Sequence, residues 1–344
     1  MFGGCYTAII TPFKPDGSVD EAGLEKLIEY QIASGAQGVL AVGTTGESPT
    51  LTWEEHNHVT EAVCRLVKGH GRAIAGTGSN STAETLRGTE HAAHAGADTV
   101  LLVDPYYNGP SSLEIRREYV SPVAKAFPEI QVIPYVIPGR TGTQLLPEDL
   151  AILAEEYPNV QTVKEATGEL ANMARTRTLC GKNYNILSGD DDKTFDMMTR
   201  ADIRASGVIS VISNAVPKAV QDFTDALQAG DRAKGERMLN ALKPLFGMVT
   251  VKTQEKTPYG EVTCRARNPL AIKTLMNILG MPAGPCRRPL GKMTRNGLNT
   301  VLNVARTIQT ESPEVFAPVE AFFKVDIEKR LKDASTLEGL AYTD

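Results

Sequence analysis

Residues 38–68, GVLAVGTTGESPTLTWEEHNHVTEAVCRLVK, contain the repeating unit on which the fold prediction rests. A short apolar run, Gly38–Val42, is followed by a glycine-containing polar loop and then by a segment with helical apolar spacing, Trp53–Lys68. A strand that is covered on both faces has this continuous apolar character, and a helix after it carries the chain back to begin a parallel strand. We therefore predict a strand–loop–helix unit here.

The same unit recurs through the first two thirds of the chain. Eight such units in about 230 residues favour a closed (β/α)₈ TIM barrel over an open doubly wound sheet. The open sheet would carry GxGxxG after its first strand, and the nearest match, residues 76–81, lacks the third glycine. The predicted strands are Tyr6–Ile10, Gly38–Val42, Ala73–Gly76, Thr99–Val103, Val132–Val136, Val160–Lys164, Tyr184–Leu187 and Val208–Val211.

The organisation of the chain is expected to change after about residue 230, where strand-like runs are no longer found. Helical spacing continues in Arg232–Phe246, Pro269–Leu279, Thr294–Gln309 and Pro313–Lys332. We predict a catalytic barrel over residues 1–230 and a helical C-terminal domain over 231–310. A C-terminal helical extension, 311–344, is expected to pack on the barrel or on a neighbouring subunit.

Composition excludes several classes of function. The 36 basic and 41 acidic residues give a net charge of −5, which argues against binding to nucleic acid. No apolar run reaches the roughly 18 residues needed to span a membrane, and the N-terminus does not resemble a signal peptide. Five scattered cysteines without a CxxC motif indicate reduced thiols, so we expect a cytoplasmic protein.

Lys164 is the strongest candidate for a catalytic residue, because it ends an apolar strand. Active sites of TIM barrels lie at the C-terminal ends of the strands. Burial would lower the pKa of this lysine and make its free amine a nucleophile toward carbonyls. The alternative is a lysine whose ammonium reaches solvent at the strand end. Alternation along the strand places Glu165 on the opposite face, so Glu165 need not neutralise Lys164.

Other polar residues follow the predicted strands at the same end of the barrel. The GTTGES loop, residues 43–48, could cradle an anion with backbone N–H groups and hydroxyls. Tyrosines at this end are either packing residues or proton carriers, and Arg140 is either solvated or aimed at a substrate carboxylate. The tyrosines are Tyr106, Tyr107 and Tyr135.

The remaining clusters of histidine and charged residues are expected to have structural roles. The histidine pairs lack further ligands, so no metal is expected; these are His56 with His58 and His91 with His94. The run from Asp190 to Asp192 is expected to cap the next helix. Arg287 and Arg288 are expected to be a solvated basic pair.

The motifs GTTGES, PYYN, YxxPxRTG, VKEATG, LSGDD and GVISV occur in this order over residues 43–211. In this order and spacing they resemble the dihydrodipicolinate synthase family of pyruvate-dependent, Schiff-base-forming aldolases and lyases, over roughly residues 1–300. The resemblance implies a TIM barrel with a helical C-terminal domain, assembled as a homotetramer built of dimers. It implies condensation of pyruvate with L-aspartate-4-semialdehyde, without a cofactor, in the diaminopimelate and lysine pathway.

The resemblance also implies roles for individual residues. Lys164 would form the imine with pyruvate, and Tyr135 would relay protons beside it. Thr45 and Tyr107 would complete the relay, with Tyr107 usually reaching in from a neighbouring subunit. The residues implied to contact substrates are Thr44, Thr45, Arg140, Gly189 and Ile209. L-Lysine is implied as a feedback inhibitor bound at Ser48, Pro49, Trp53, His56, Asn80, Glu84 and Tyr106.

Two departures from the family pattern leave the aldehyde specificity open. The family usually has Tyr-Asn-Val-Pro-Ser-Arg, whereas Val136 and Gly139 occupy the second and fifth positions here. Alternatives within the superfamily are an N-acetylneuraminate lyase-like enzyme or a sugar-acid aldolase, which generally lack the Arg-Thr-Gly found here at Arg140. The alternative of another class is a non-catalytic sensor of a carboxylate metabolite on the same barrel.

Overall fold

The computed structural model describes residues 2–343 and contains a closed barrel of eight parallel strands. β1 pairs with both β2 and β8, which closes the sheet and confirms the predicted (β/α)₈ architecture. Each predicted strand is present, with its ends displaced by at most two residues. The strands are β1 (Gly4–Ala8), β2 (Gly38–Ala41), β3 (Arg72–Gly76), β4 (Thr99–Val103), β5 (Gln131–Val136), β6 (Thr162–Glu165), β7 (Asn185–Ser188) and β8 (Gly207–Ser210).

Helices follow the strands and cover the outside of the barrel. The α-helices of this part are Glu21–Ala33, Trp53–Val67, Thr82–His94, Ser112–Glu114, Ser121–Ala126, Pro138–Thr141, Pro147–Glu156, Leu170–Cys180, Thr194–Thr199 and Pro217–Gln228. A π-helical segment, Ile115–Val120, joins two of them, and short 3₁₀ turns are formed by Ser48–Thr50, Asp191–Lys193 and Ile212–Asn214. Among residues 2–343, no helix is long and apolar enough to cross a membrane.

Alternate residues of the strands fill the barrel interior, which leaves its C-terminal end for polar groups. The interior cluster includes Leu40, Ile74, Leu101, Ile133 and Leu187, all buried. Residues of opposite orientation pack against the surrounding helices in two larger clusters. The strands are therefore apolar on both faces, as parallel strands between two layers must be.

The region after residue 230 corrects one prediction, because it is not wholly helical. An antiparallel hairpin of β9 (Thr250–Thr257) and β10 (Gly260–Arg267) lies between helices Arg232–Phe246 and Leu270–Leu279. Its residues alternate between a partly buried face and a charged face, so neither strand contains the continuous apolar run on which the prediction relied. The later helices are Arg295–Glu311, Ala317–Phe323 and Ile327–Lys332, with 3₁₀ turns at Pro313–Val315 and Ala334–Leu337.

The C-terminal extension packs on its own chain. The rings of Phe323 and Tyr30 lie 5.0 Å apart, centroid to centroid, which attaches the extension to the first barrel helix. Arg330 donates to the carbonyls of Asn277 and Ile278, at 2.9 and 2.8 Å, at the C-terminal end of helix Leu270–Leu279. Lys324, at φ 57°, breaks the single helix expected over residues 313–332. The domain boundaries at residues 230 and 310 stay a prediction.

A buried ion pair connects the barrel to the C-terminal region. Lys273 Nζ lies 2.8 Å from Glu47 Oε1, and both side chains are almost fully buried. The ammonium also donates to the carbonyls of Thr11 and Pro285, at 3.0 and 2.6 Å. The second Glu47 oxygen accepts from the Arg287 backbone N–H at 2.8 Å. The charges are thus paired and hydrogen-bonded, which is the condition for burying them.

Arg287 contradicts the expectation of a solvated basic pair. Its guanidinium forms a bidentate pair with the Glu55 carboxylate, with N–O distances of 2.6 and 2.8 Å. It also donates to the carbonyl oxygens of Gly17 and Thr50. Arg288 is exposed, as expected. Arg287 therefore joins the C-terminal region to two barrel loops.

Candidate active site

Lys164 lies at the C-terminal end of β6, in register with Tyr135 on β5 and Leu187 on β7. Its side chain is directed into the barrel mouth, where only 5% of its surface is exposed. The ammonium nitrogen lies 4.1 Å from the centroid of the Tyr135 ring. Burial lowers the pKa of Lys164 to about 7, so a large fraction of the amine is neutral near neutral pH.

Glu165 is on the outward side of β6, as the strand alternation predicted. Its carboxylate accepts from the Thr167 backbone N–H at 2.8 Å and from Asn172 Nδ2 at 2.9 Å. The Glu165 carboxylate therefore hydrogen-bonds to the loop and helix that follow β6, and it does not form an ion pair with Lys164.

The acidic run after β7 does not cap the next helix, which corrects the prediction. Asp191 is buried and accepts from the backbone N–H groups of Val211 and Ile212, at 2.9 and 3.2 Å, and from the Ser210 hydroxyl. Asp190 borders the cavity that contains Lys164. Burial raises the pKa of Asp190 to about 6, and the neighbouring charges of Asp192 and Asp191 act in the same direction. The Asp190 carboxylate in turn raises the pKa of Lys164, which partly opposes the lowering caused by burial of the lysine.

Tyr135 and Thr45 flank the approach to Lys164 and are both buried. Burial raises the pKa of the Tyr135 phenol, with smaller opposing effects from Arg140 and Thr44. Thr45 Oγ1 accepts a hydrogen bond from Asn268 Nδ2 at 3.0 Å. The sequence analysis missed Asn268, which is buried directly after the hairpin, because no local pattern connects it to Thr45.

Gly189 lies so close to the Lys164 side chain and to Ala166 that only glycine fits at this position. A Cβ atom there would lie 3.2 Å from Lys164 Cε and 2.8 Å from Ala166 Cβ. The backbone N–H of Gly189 donates to the Glu165 carbonyl at 2.7 Å. Ile209, by contrast, belongs to the packed interior of the barrel. The expectation that its backbone contacts a substrate stays a prediction.

Arg140 faces the cavity from the short helix Pro138–Thr141. Its side chain is half-buried, and Nη2 donates to the Asn268 carbonyl at 3.3 Å. Burial lowers the pKa of the guanidinium, which nevertheless remains charged. Of the two interpretations left open by the sequence, the structure therefore favours a cation at the cavity over a solvated surface residue.

Two adjoining cavities meet at this end of the barrel. The larger, about 330 Å³, contains Lys164, Gly189 and Asp190, and its outer wall includes hairpin residues Lys252 and Arg265. The smaller, about 190 Å³, extends toward Ser48, Pro49 and Tyr106. The residues common to both are Thr44, Tyr135, Ile137 and Arg140. The lining of the two cavities thus brings together an amine, several hydroxyl groups and several cationic side chains.

Tyr107 is the one implied catalytic residue that its own protomer does not bring to the site. Its side chain is 88% exposed. The adjacent Tyr106 is 39% exposed, and its backbone N–H donates to Asn80 Oδ1 at 2.6 Å. Tyr106 borders the smaller cavity, whereas Tyr107 lines neither of the two cavities.

The other residues implied to bind lysine line neither of the two cavities. Glu84 accepts from the Ser79 hydroxyl at 2.5 Å and is only partly buried. His56 is buried, with Nε2 3.0 Å from the Gly76 carbonyl oxygen and Nδ1 without a hydrogen-bond partner among the described residues. The Trp53 and His56 rings lie 4.9 Å apart, centroid to centroid, and Trp53 is 39% exposed.

The described residues do not offer a group of side chains suited to binding a metal ion. Within residues 2–343, no three His, Cys, Asp or Glu side chains are grouped in a way that could hold a metal ion. What the cavity does provide is a nucleophilic amine, a buried phenol and an arginine, which together are the groups needed to form and use a carbinolamine or imine.

Known proteins resemble this chain over most of its length. The model of the dihydrodipicolinate synthetase family matches residues 1–308. The 4-hydroxy-tetrahydrodipicolinate synthase of Methanococcus vannielii is 39% identical over 305 residues, which are 89% of this chain and 98% of the relative. The enzyme of the same name from Geobacter sulfurreducens is 42% identical over 295 residues, or 86% and 94% of the two chains.

Solved structures give the same result. Dihydrodipicolinate synthase from Aquifex aeolicus superposes with a TM-score of 0.80 at 35% identity, covering 89% of this chain and 98% of that one. The enzyme from Cyanidioschyzon merolae, solved with lysine bound, has a TM-score of 0.80 at 33% identity and the same coverage. The chain therefore belongs to the dihydrodipicolinate synthetase family.

Proposed function

We propose that this protein is a lyase that condenses pyruvate with L-aspartate-4-semialdehyde, the 4-hydroxy-tetrahydrodipicolinate synthase reaction. The observation that carries the proposal is the buried Lys164 amine, with a pKa near 7, facing a cavity that also contains Arg140. Relatives that are about 40% identical over almost their whole length bear the name of this activity.

The amine of Lys164 attacks the ketone carbon of pyruvate, and loss of water leaves a protonated imine. The imine withdraws electrons from the adjacent methyl group, which loses a proton to give an enamine. The enamine carbon attacks the aldehyde carbon of the semialdehyde, whose oxygen takes up a proton. The amine of the second substrate then adds to the imine carbon and displaces Lys164, which closes the ring. The lysine supplies the electrophilic centre, so we expect no cofactor.

The other polar residues have roles that follow from their positions. The loop with Thr44 and Thr45 borders the cavity that contains Lys164, so its hydroxyls and N–H groups can hold the pyruvate carboxylate. Tyr135, whose ring contacts Lys164, is placed to exchange protons with the carbinolamine. Arg140 is placed to bind the carboxylate of the semialdehyde.

We extend the proposal to the assembly. The high exposure of Tyr107 in one protomer is expected if this tyrosine completes the proton relay in a neighbouring subunit. We therefore propose a homo-oligomer, a tetramer built of dimers. All five cysteines are free, which supports a cytoplasmic location.

We also propose that L-lysine is a feedback inhibitor. The smaller cavity, bordered by Ser48, Pro49 and Tyr106, adjoins the catalytic cavity through shared residues. Glu84 can pair with an ammonium, while Asn80 and Tyr106 can hydrogen-bond to an amine or a carboxylate. The Cyanidioschyzon merolae relative was solved with lysine bound.

A panel of aldehydes at fixed pyruvate concentration tests the substrate assignment. We expect condensation with L-aspartate-4-semialdehyde and a kcat/KM that is lower by about 100-fold or more with N-acetylmannosamine or glyceraldehyde, which lack the carboxylate that Arg140 would bind. A preference for a sugar would instead indicate the lyase or sugar-acid aldolase alternative. Pyruvate binding without an imine or turnover would indicate the sensor alternative.

A further inference from the structure

The hairpin β9–β10 adds a charged surface to the mouth of the catalytic cavity. In its antiparallel register, Thr250 lies opposite Arg267 and Lys252 lies opposite Arg265. These four residues border the cavity that contains Lys164. The other face of the hairpin packs on helix Arg295–Glu311, where the hydroxyls of Thr253 and Thr294 lie 3.2 Å apart.

The facing pair Lys252 and Arg265 has an electrostatic cost in the empty protein. Like charges directly opposite each other on neighbouring strands destabilise a sheet. Both side chains are exposed, and neither forms an ion pair among residues 2–343. Arg140 borders the same cavity, as does the Asp190 carboxylate, and an anion bound beside the two facing cations would relieve their repulsion.

The hairpin is also tied to the loop that carries Arg140. Arg267 Nη1 donates to the Gly139 carbonyl at 3.4 Å, and Arg140 Nη2 donates to the Asn268 carbonyl at 3.3 Å. Gly139 is exposed and no atom lies within 4 Å of where its Cβ would be, so packing does not hold the loop there. Two reciprocal hydrogen bonds therefore connect the Arg140 loop to the hairpin.

We propose that the hairpin is a specificity element for the carboxylate of the second substrate. Lys252 and Arg265 extend the carboxylate subsite of Arg140 toward solvent, and Arg267 is a positioning residue that holds the Arg140 loop. Pyruvate binds deeper, at Lys164, so the hairpin acts chiefly on the aldehyde that arrives afterwards. This inference rests on the proposed function and identifies a recognition element for the same site.

Charge-removing variants with a matched control test the proposal. Lys252→Gln, Arg265→Gln and the double variant are compared with Lys256→Gln, on the same strand and the same face. Lys256 is four residues farther from the cavity, about 13 Å along a strand, which exceeds the roughly 8 Å Debye length at physiological salt.

The readouts are kcat/KM for each substrate at several salt concentrations and the yield of pyruvate trapped by borohydride. We expect the double variant to lose about 3- to 10-fold in kcat/KM for the semialdehyde, with a smaller loss at high salt. The value for pyruvate, the trapping yield and the Lys256→Gln variant should stay within twofold of wild type. Arg267→Ala should raise KM for the semialdehyde, and Arg267→Lys should partly restore it.

Unchanged semialdehyde kinetics in the double variant would overturn the inference. An equal loss of kcat/KM for both substrates would also overturn it. Such a result would mean that the two cations act through the overall electrostatic potential of the cavity and do not form a subsite for the semialdehyde. Failure of the proposed function gives a different result, since the wild-type protein itself would then not turn over the semialdehyde, whether or not it traps pyruvate. That result would overturn both proposals together.

Discussion

Asp190→Asn is expected to increase the rate of imine formation near pH 6.5, where the Asp190 carboxyl, whose pKa is about 6, is mostly ionised. Burial lowers the pKa of Lys164 to about 7, and the Asp190 carboxylate opposes this by favouring the ammonium. Removing that charge leaves the effect of burial less opposed, so the pKa of Lys164 should fall below about 7. The neutral amine is the nucleophile, and the variant should therefore contain more of it at mildly acidic pH.

The size of the effect follows from the titration of one amine. With a pKa of about 7, roughly a quarter of Lys164 is neutral at pH 6.5, whereas an ordinary lysine would be neutral in only about one molecule in 10,000. The variant can gain at most about fourfold at pH 6.5, and we expect about two- to fourfold. Above pH 8.5 almost all of the amine is already neutral, so the two rates should converge.

The assay is rapid mixing with saturating pyruvate followed by a borohydride quench at intervals, from pH 5.5 to 9. Asp196→Asn is the matched control, because it removes the same charge from an exposed position nearby on helix Thr194–Thr199. The control should follow the wild-type profile. An Asp190→Asn rate that equals or falls below the wild-type rate at pH 6.5, in a folded protein, would refute the reasoning.

Three further outcomes follow from the same structure. Arg140→Ala should lower kcat/KM for the semialdehyde by about 30- to 1,000-fold, because a charge-assisted bidentate contact is worth roughly 2–4 kcal/mol in a dry pocket, while pyruvate trapping stays near wild type. Equal loss of trapping would make Arg140 structural. Millimolar L-lysine should inhibit the enzyme and, in parallel, change the fluorescence of Trp53, which is the only tryptophan. Glu84→Ala should abolish both effects. Full activity of the wild-type protein at millimolar lysine would exclude this regulation. Lys273→Met should destabilise the protein by about 3–5 kcal/mol in urea titrations, because Glu47 is left buried and unpaired, whereas exposed Lys243→Met should change it by less than 1 kcal/mol.

The barrel and its nucleophile could be predicted because their signals are local. Each strand from β1 to β8 is a short apolar run between loop residues, and the cost of burying an ammonium makes Lys164 conspicuous at the end of β6. Alternation along the same strand also placed Glu165 correctly on the outer face.

The incorrect assignments concern residues whose partners are far away in the chain. Asp191 precedes a helix and so suggested a cap, but its N–H donors are about 20 residues later, on the loop after β8. Arg287 looked solvated because its partner, Glu55, is 232 residues away. Such pairs are set by tertiary packing, which no local spacing encodes.

The hairpin and Asn268 were missed for a related physical reason. A strand with one charged face and one partly polar face has little apolar content, so its alternation is weak evidence beside the strong helical patterns around it. The hairpin contributes to the site only because the C-terminal region folds back across the barrel mouth, where Asn268 meets Thr45.

Mass mapping of the pyruvate adduct is the most direct test of the central claim that Lys164 is the nucleophile. Incubation with pyruvate and borohydride should add one reduced pyruvate to the peptide that contains Lys164, and Lys164→Ala should abolish both the adduct and turnover while the protein stays folded. The exposed residue Lys182, as Lys182→Ala, provides the control and should leave the adduct unchanged. An adduct on another lysine, or full turnover without any adduct, would contradict the mechanism.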